Sequence, residues 1–237
     1  IPDRGTSNAV KSVRRYAQDI TQDYKKQAYF LKADIKNFFV SIDKGILYEE
    51  IKRYVDEKWL LDLIKEIVYN GVKENVCVKS SDYKFKLLPE YKSLWHTPNE
   101  RGLPIGNLTS QFFSNVYLNV LDQYVKQHLK CKYYCRYVDD FIIMHESPKY
   151  LSDIHKELTI FLKDRLALEL HQHKKLINKL DKGVDFVGFM VKPHRIILRQ
   201  RTIKRIFKII REQKNNDKWF YEKELEKQKI QMYMYQL

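Results

Sequence analysis

Asp139 and Asp140 stand side by side within Tyr137-Val138-Asp139-Asp140-Phe141-Ile142-Ile143, and a third acid, Asp34, closes the run Tyr29-Phe30-Leu31-Lys32-Ala33-Asp34 about 105 residues earlier. Adjacent carboxylates among apolar neighbours repel one another and lose hydration, so cations or protons must neutralise them. Their hard oxygens suit magnesium, and two such ions about 3.5–4 Å apart can stabilise the attacking and leaving oxygens of phosphoryl transfer. A purely structural reading competes: Asp-Asp is also a polar hairpin turn, and an acid is a common strand end.

The acids need a scaffold that brings distant segments together. Tyr29 to Ile35 reads as a buried strand ending in an acid, and Tyr133–Val138 with Phe141–Met144 as a tight hairpin with Asp139-Asp140 at its turn. After a turn at Lys44-Gly45, Leu47, Ile51, Tyr54 and Val55 recur at helical spacing, and a second helix runs from Trp59 to Tyr69 and stops at Gly71. Between Val72 and Pro104 the pattern breaks into short extended pieces, an irregular insertion. Ser110 to Lys130 reads as one amphipathic helix with Phe113, Val116, Tyr117, Val120, Leu121, Tyr124 and Val125 on its apolar face. Ser147-Pro148 opens another helix through Ile154, Leu158, Phe161 and Leu162, and a strand follows at Leu168–His171. This order predicts an α+β fold of the ferredoxin-like split β-α-β type, in which the first strand and the central hairpin are neighbours.

Lys and Arg total 44 against 30 Asp and Glu in 237 residues, a net charge of +14, which favours an acidic partner such as nucleic acid. Residues Thr202 to Gln213 form a basic amphipathic helix whose Lys204, Arg205 and Lys208 either contact phosphates or simply face solvent. Three cysteines, Cys77, Cys131 and Cys135, make no even disulfide framework, and none pairs with His155, His171 or His173 at a zinc-binding spacing. No run of about 18 apolar residues and no signal peptide is present, which predicts a cytoplasmic protein without a membrane partner. The chain opens on Ile1-Pro2 without methionine, so further sequence is expected upstream.

Tyr137-Val138-Asp139-Asp140 resembles the central acid motif of reverse transcriptases, and Ala33-Asp34-Ile35-Lys36-Asn37-Phe38-Phe39 resembles their first acid motif. Gly102-Leu103-Pro104-Ile105-Gly106-Asn107-Leu108-Thr109-Ser110-Gln111 is similar to their nucleotide-pocket motif. Ile105 replaces the usual glutamine and Gln111 the usual proline, the form found in diversity-generating retroelements, relatives of group II intron enzymes. Lys92-Ser93-Leu94-Trp95-His96 resembles the same subgroup, and Lys174-Lys175 with Asp185-Phe186-Val187-Gly188-Phe189 resembles the late palm motif and primer grip. Arg4-Gly5-Thr6 and Ala9 are similar to the tail of a fingers motif.

The resemblance implies an RNA-directed DNA polymerase with a right-hand palm at residues 29–185, a fingers-side insertion near 72–104, a remnant of fingers at 1–28, and a primer-grip hairpin with the start of a thumb at 186–237. It assigns Asp34, the carbonyl of Ile35, and Asp139 as ligands of two Mg2+ ions, with Mn2+ as a substitute and Asp140 in support. Lys174 or Lys175 would protonate departing pyrophosphate, a role open to a positioned lysine, while a solvated charge pair is the rival reading. Phe39 would crowd a ribose 2′-hydroxyl with Phe38 beside it, although either could be ordinary core. Gly106 would let a base pair or sugar approach, Ser110 and Gln111 would complete the pocket unless Ser110 only caps a helix, and Gly188 with the basic helix would touch the primer-template. Ile105 lacks a glutamine's hydrogen bonds, which implies error-prone copying, sharpened by the resemblance to template adenines. The implied partners are a template RNA, a DNA or RNA primer, deoxynucleoside triphosphates and a small basic accessory protein. A group II intron enzyme and a noncatalytic RNA-binding scaffold with the same fold are the other readings.

Overall fold

The computed structural model describes residues 5–70 and 89–213. In chain order the elements are α1 (Thr6–Thr21), β1 (Tyr29–Asp34), α2 (Phe38–Ser41), α3 (Lys44–Lys52), α4 (Lys58–Tyr69), α5 (Leu108–Gln123), β2 (Tyr133–Tyr137), β3 (Asp140–His145), α6 (Pro148–Leu166), β4 (Leu176–Lys179), β5 (Val184–Phe186), β6 (Phe189–Val191), β7 (Ile196–Leu198) and α7 (Gln200–Gln213). Four strands form a sheet of order β2-β3-β1-β4, the ferredoxin-like order that the sequence predicted, and β5-β6-β7 form a second sheet. The chain divides into two compact units, one of residues 31–143 and 149–176, the other of residues 1–30, 144–148 and 177–237.

In the first unit, β3 is buried at Phe141, Ile142 and Ile143 in succession, so both faces of the strand are covered. Leu31 and Ala33 of β1 are buried, whereas Lys32 and Asp34, which alternate with them, are only half-buried and share the opposite face. Helix α5 buries Phe113, Tyr117, Leu118 and Leu121. Helix α6 starts at Pro148, as its sequence indicates, and buries Leu151, Ile154, Leu158, Leu162 and Leu166.

Several local expectations need correction. Lys44-Gly45 is no turn but the first turn of α3, because the Asp43 carboxylate accepts from Ile46 N at 3.0 Å and caps the helix. That helix ends at Lys52, which leaves Tyr54 outside it and 70% exposed. The helix expected from Ser110 to Lys130 is α-helical only through Gln123. Residues Tyr124–His128 then widen into a π-turn, with Leu129 N donating to Tyr124 O at 2.9 Å and Tyr124 stacked between His128 and Phe161. Leu168–His171 does not form a strand of its own. It makes one bridge, Leu170 to Ile35, and the sheet position belongs to β4. The hairpin turn is Val138-Asp139, with Asp140 already opening β3. Gly71, Cys77, Arg4, the greater part of the 72–104 insertion and the thumb residues beyond 213 lie outside the described residues.

In the second unit, α1 buries Ala9, Val10, Val13, Ala17 and Ile20 at helical spacing and packs on β6. β5 and β6 pair antiparallel around Val187-Gly188, both at positive φ (43° and 89°), the geometry of a type I′ turn. Cys135 lies in β2 of the first unit and Cys131 just before it; burial pushes the Cys135 thiol up to about 11 and the Cys131 thiol up as well. No helix among the described residues is long and apolar enough to cross a membrane.

Tyr117 ties the first unit together. Its fully buried hydroxyl donates to Leu166 O at 2.6 Å and accepts from Asp43 N at 3.3 Å, joining α5 to the end of α6 and the start of α3. Tyr117→Phe strands a buried donor and acceptor, so thermal and urea unfolding should show a loss of about 1–3 kcal/mol and a Tm several degrees lower. An unchanged Tm would remove this hydroxyl from the account of stability.

Candidate active site

The ends of β1 and the β2–β3 hairpin meet through the backbone. Ile35 N donates to Asp139 O at 3.2 Å, Lys36 N to Glu169 O at 2.8 Å, and His171 N to Asp34 O at 2.8 Å. These bonds fix Asp34 between the hairpin turn and the segment after α6. The carboxylates feel one another: burial first, then the charge of Asp34, push Asp139 above the usual carboxylate range. Asp140 is pushed up to about 6 by burial, with Asp34 and Asp139 adding to the rise and Lys32 opposing it.

Two lysines answer this charge. Lys174 Nζ pairs with the Asp34 carboxylate, and Lys32 Nζ lies 3.0 Å from Asp140 Oδ2. Lys32 was not singled out from the sequence, yet the period of two along β1 places it on the same face as Asp34. Lys175, the other candidate, is exposed, and its charge acts instead on His155. Among the described residues no three Asp, Glu, His or Cys side chains are gathered as a ready-made ion cage. Lys174 at Asp34 and Lys32 at Asp140 offset part of the repulsion among the acids.

The residues nonetheless fit a divalent cation. Asp140 Oδ1 is buried and has no hydrogen-bond partner among the described residues, Asp139 and Asp140 both resist carrying charge in this setting, and the donors are hard carboxylate and carbonyl oxygens.

The pocket-motif loop runs against α2. Gly102 N donates to Ile42 O and Leu103 N to Phe39 O, both at 2.8 Å. Gly102 has φ +83°, and a Cβ there would stand 2.5 Å from the Leu94 side chain, so this glycine lets the loop pass the Lys92–His96 segment. Phe38 is buried core and its ring lies 5.3 Å from that of Phe39, which is half-buried. Ile105 is 74% exposed, and open space surrounds Gly106 at φ +106°. Ser110 is buried within the first turn of α5, whose cap position is Asn107; a capping role for Ser110 is therefore excluded, while Gln111 is exposed. Gly188, whose carbonyl accepts from Arg199 N at 3.0 Å, and the exposed Lys204, Arg205 and Lys208 of α7 belong to the second unit.

The sequence model of the reverse transcriptase (RNA-dependent DNA polymerase) family matches residues 2–191. The chain belongs to the reverse transcriptase family. Relatives include the group II intron-encoded protein LtrA of Lactococcus lactis, 22% identical in a match that covers 88% of this chain and 40% of LtrA. YkfC of Escherichia coli is 22% identical in a match that covers 83% of this chain and 53% of that protein. The reverse transcriptase fold recurs in telomerase from Candida albicans, solved with a fragment of telomeric RNA, at TM-score 0.54 and 15% identity over 82% of this chain and 35% of that one. Apo telomerase from Candida tropicalis gives a TM-score of 0.53 at 14% identity, covering 83% and 36%. The chain thus spans about half or less of each of these proteins. Asp34, Asp139, Asp140 and Lys174 lie within the stretch that matches the reverse transcriptase family, and the basic residues of α7 lie beyond it.

Lys32→Met leaves Asp140 facing two acids without its nearest cation. With the pair about four-fifths buried, unfolding at pH 7.5 in EDTA should report a loss of roughly 1–3 kcal/mol, and Asp140→Asn in the same chain should recover most of it. A loss that Asp140→Asn leaves untouched would break the link between Lys32 and Asp140.

Proposed function

We propose that this chain is the catalytic core of an RNA-directed DNA polymerase, in which a primer 3′-hydroxyl attacks the α-phosphate of a deoxynucleoside triphosphate. The observation that carries the reading is the junction of β1 with the hairpin, where Ile35 N meets Asp139 O and the charge of Asp34 bears on both hairpin acids. In this reading Asp34, Asp139 and the Ile35 carbonyl hold two Mg2+ ions, with Mn2+ as a substitute, and Asp140 backs them. Bound divalent ions supply charge neutralisation at the attacking and leaving oxygens of the displacement. Lys174, already at Asp34, can hold a proton for departing pyrophosphate. Half-buried Phe39 crowds the ribose, and the open ground at Gly106 admits the nucleotide or its template partner. The net charge of +14 and the exposed Lys204, Arg205 and Lys208 support contact with template RNA and a DNA or RNA primer. On this reading residues 29–185 are palm, 1–28 belong to the fingers and 186–237 begin the thumb.

The finer assignment is a polymerase of the diversity-generating retroelement type, aided by a small basic accessory protein. Ile105 and Gln111 support it, since an exposed isoleucine offers no hydrogen bond to restrain a poorly placed nucleotide, and copying opposite adenine should then be error-prone. A group II intron-type enzyme is the second reading, favoured by the likeness to LtrA.

Primer extension by the complete protein on an RNA template, with deoxynucleotides and Mg2+, should be abolished by EDTA. Asp139→Asn should lower kcat about 10³-fold, roughly 4 kcal/mol of transition-state stabilisation. Extension that survives Asp139→Asn at the wild-type rate would end the proposal. Sequencing of the cDNA should show fewer errors at template adenines in Ile105→Gln, and an identical error spectrum would remove the retroelement assignment.

A further inference from the structure

Val138 sits at φ +56°, a left-handed conformation that β-branched residues rarely adopt, because Cβ crowds the following carbonyl. Its neighbour is Asp139, and whatever holds Val138 in this form also sets the direction of that acid. Arg136, two residues earlier, donates from Nη1 to Val138 O at 2.9 Å. The same guanidinium grips Asp122 with its other nitrogens, Nε to Oδ1 at 2.8 Å and Nη2 to Oδ2 at 2.6 Å. That is the two-pronged geometry that a planar guanidinium makes with a carboxylate and a lysine cannot copy. Tyr134 donates to Asp122 Oδ1 at 2.7 Å, and Nη1 also lies 3.4 Å from Asn115 Oδ1.

The far end of this strut is firmly seated. Asp122 follows fully buried Leu121 on α5, and the Arg136 side chain is 8% exposed. A buried ion pair is a poor source of net stability, since the lost hydration offsets the attraction. The arrangement is better accounted for by what it restrains. Fixing Val138 O fixes the peptide plane between Val138 and Asp139, and on the other side of Asp139 the carbonyl receives Ile35 N at 3.2 Å.

We propose that Arg136 and Asp122 form a positioning clamp, which holds Val138 in its left-handed form at the hairpin turn and so sets the Asp139 carboxylate against Asp34. The role of that carboxylate in polymerisation rests on the proposed function; the clamp itself is a matter of backbone geometry. Arg136 and Asp122 touch no reacting atom and act only through the turn.

Two measurements on the complete protein test it: amide hydrogen exchange at Ile35, which reports whether the turn is in place whatever the activity, and steady-state primer extension. Arg136→Gln should speed Ile35 exchange about 10-fold or more and lower kcat about 10²-fold, with the deoxynucleotide KM within about threefold of wild type. Arg136→Lys keeps the charge but loses the fork, and should fall close to Arg136→Gln. The deciding variant is Val138→Gly in the Arg136→Gln chain. Glycine accepts positive φ without strain, so at least about 10-fold of kcat and most of the Ile35 protection should return. If Arg136→Gln does not fold, Asp122→Asn, which loses the charge and keeps the shape, is judged by the same two readouts. Wild-type exchange and kcat in the folded single variant, or no recovery with Val138→Gly, overturns the clamp. An inactive wild type would end the polymerase reading, and Ile35 exchange would still decide the clamp by itself.

Discussion

Like charge held at close quarters under partial burial is the constraint on which this molecule turns. The charge of Asp34 bears on both Asp139 and Asp140, that of Asp139 bears on Asp140, and burial disfavours the charge of the two hairpin acids further. A chain folding only for stability has no use for such a grouping, because apolar residues of similar volume would do as well or better. The structure tolerates it by bringing cations alongside, Lys32 to Asp140 and Lys174 to Asp34. An ammonium group neutralises a carboxylate at one point and reaches only one or two oxygens at a time. Asp140 Oδ1, buried and without a partner among the described residues, marks what the lysines leave unanswered.

The rest of the first unit can be understood as the means of holding these acids where they do not wish to be. Sheet order puts β1 beside β3, and the continuous burial of Phe141, Ile142 and Ile143 anchors the strand that Asp140 opens. Tyr117 joins three segments around the same core, and Arg136 ties the hairpin turn to α5. On the side of the pocket motif, Gly102 lets the loop pass Leu94 and hydrogen-bond to α2, which leaves Ile105 and Gly106 open to an incoming molecule. Membership of the reverse transcriptase family gives this arrangement its context, and the fold shared with the Candida telomerases agrees with it at low sequence identity.

What could be read from the sequence followed from short-range pattern. Acids at the ends of apolar runs stood out, as did the periodicity of α5 and α6 and the order of elements that specifies the sheet. What could not be read depends on long-range or competing local chemistry. Asp43 captures Ile46 N and turns Lys44-Gly45 into a helix start, overriding glycine's preference for turns. The π-turn at Tyr124 goes with a stack against Phe161, 37 positions away, and no local propensity records that ring. Arg136 and Asp122 are ordinary charged residues in the sequence, and only the packing of α5 beside the hairpin makes them partners. Lys32 was within reach, since strand alternation places it on the face of Asp34, but its partner is across the sheet on β3.

If Asp34, Asp139 and Asp140 serve a divalent cation as proposed, that cation must enter beside their counter-charges Lys174 and Lys32. Anomalous diffraction from crystals of the protein grown with Mn2+ tests it most directly. The expected result is a peak within about 2.5 Å of carboxylate oxygens of both Asp34 and Asp139, with Lys174 Nζ drawn away from Asp34. A map with no peak there, in which Lys174 and Lys32 keep their present partners at saturating Mn2+, would contradict it.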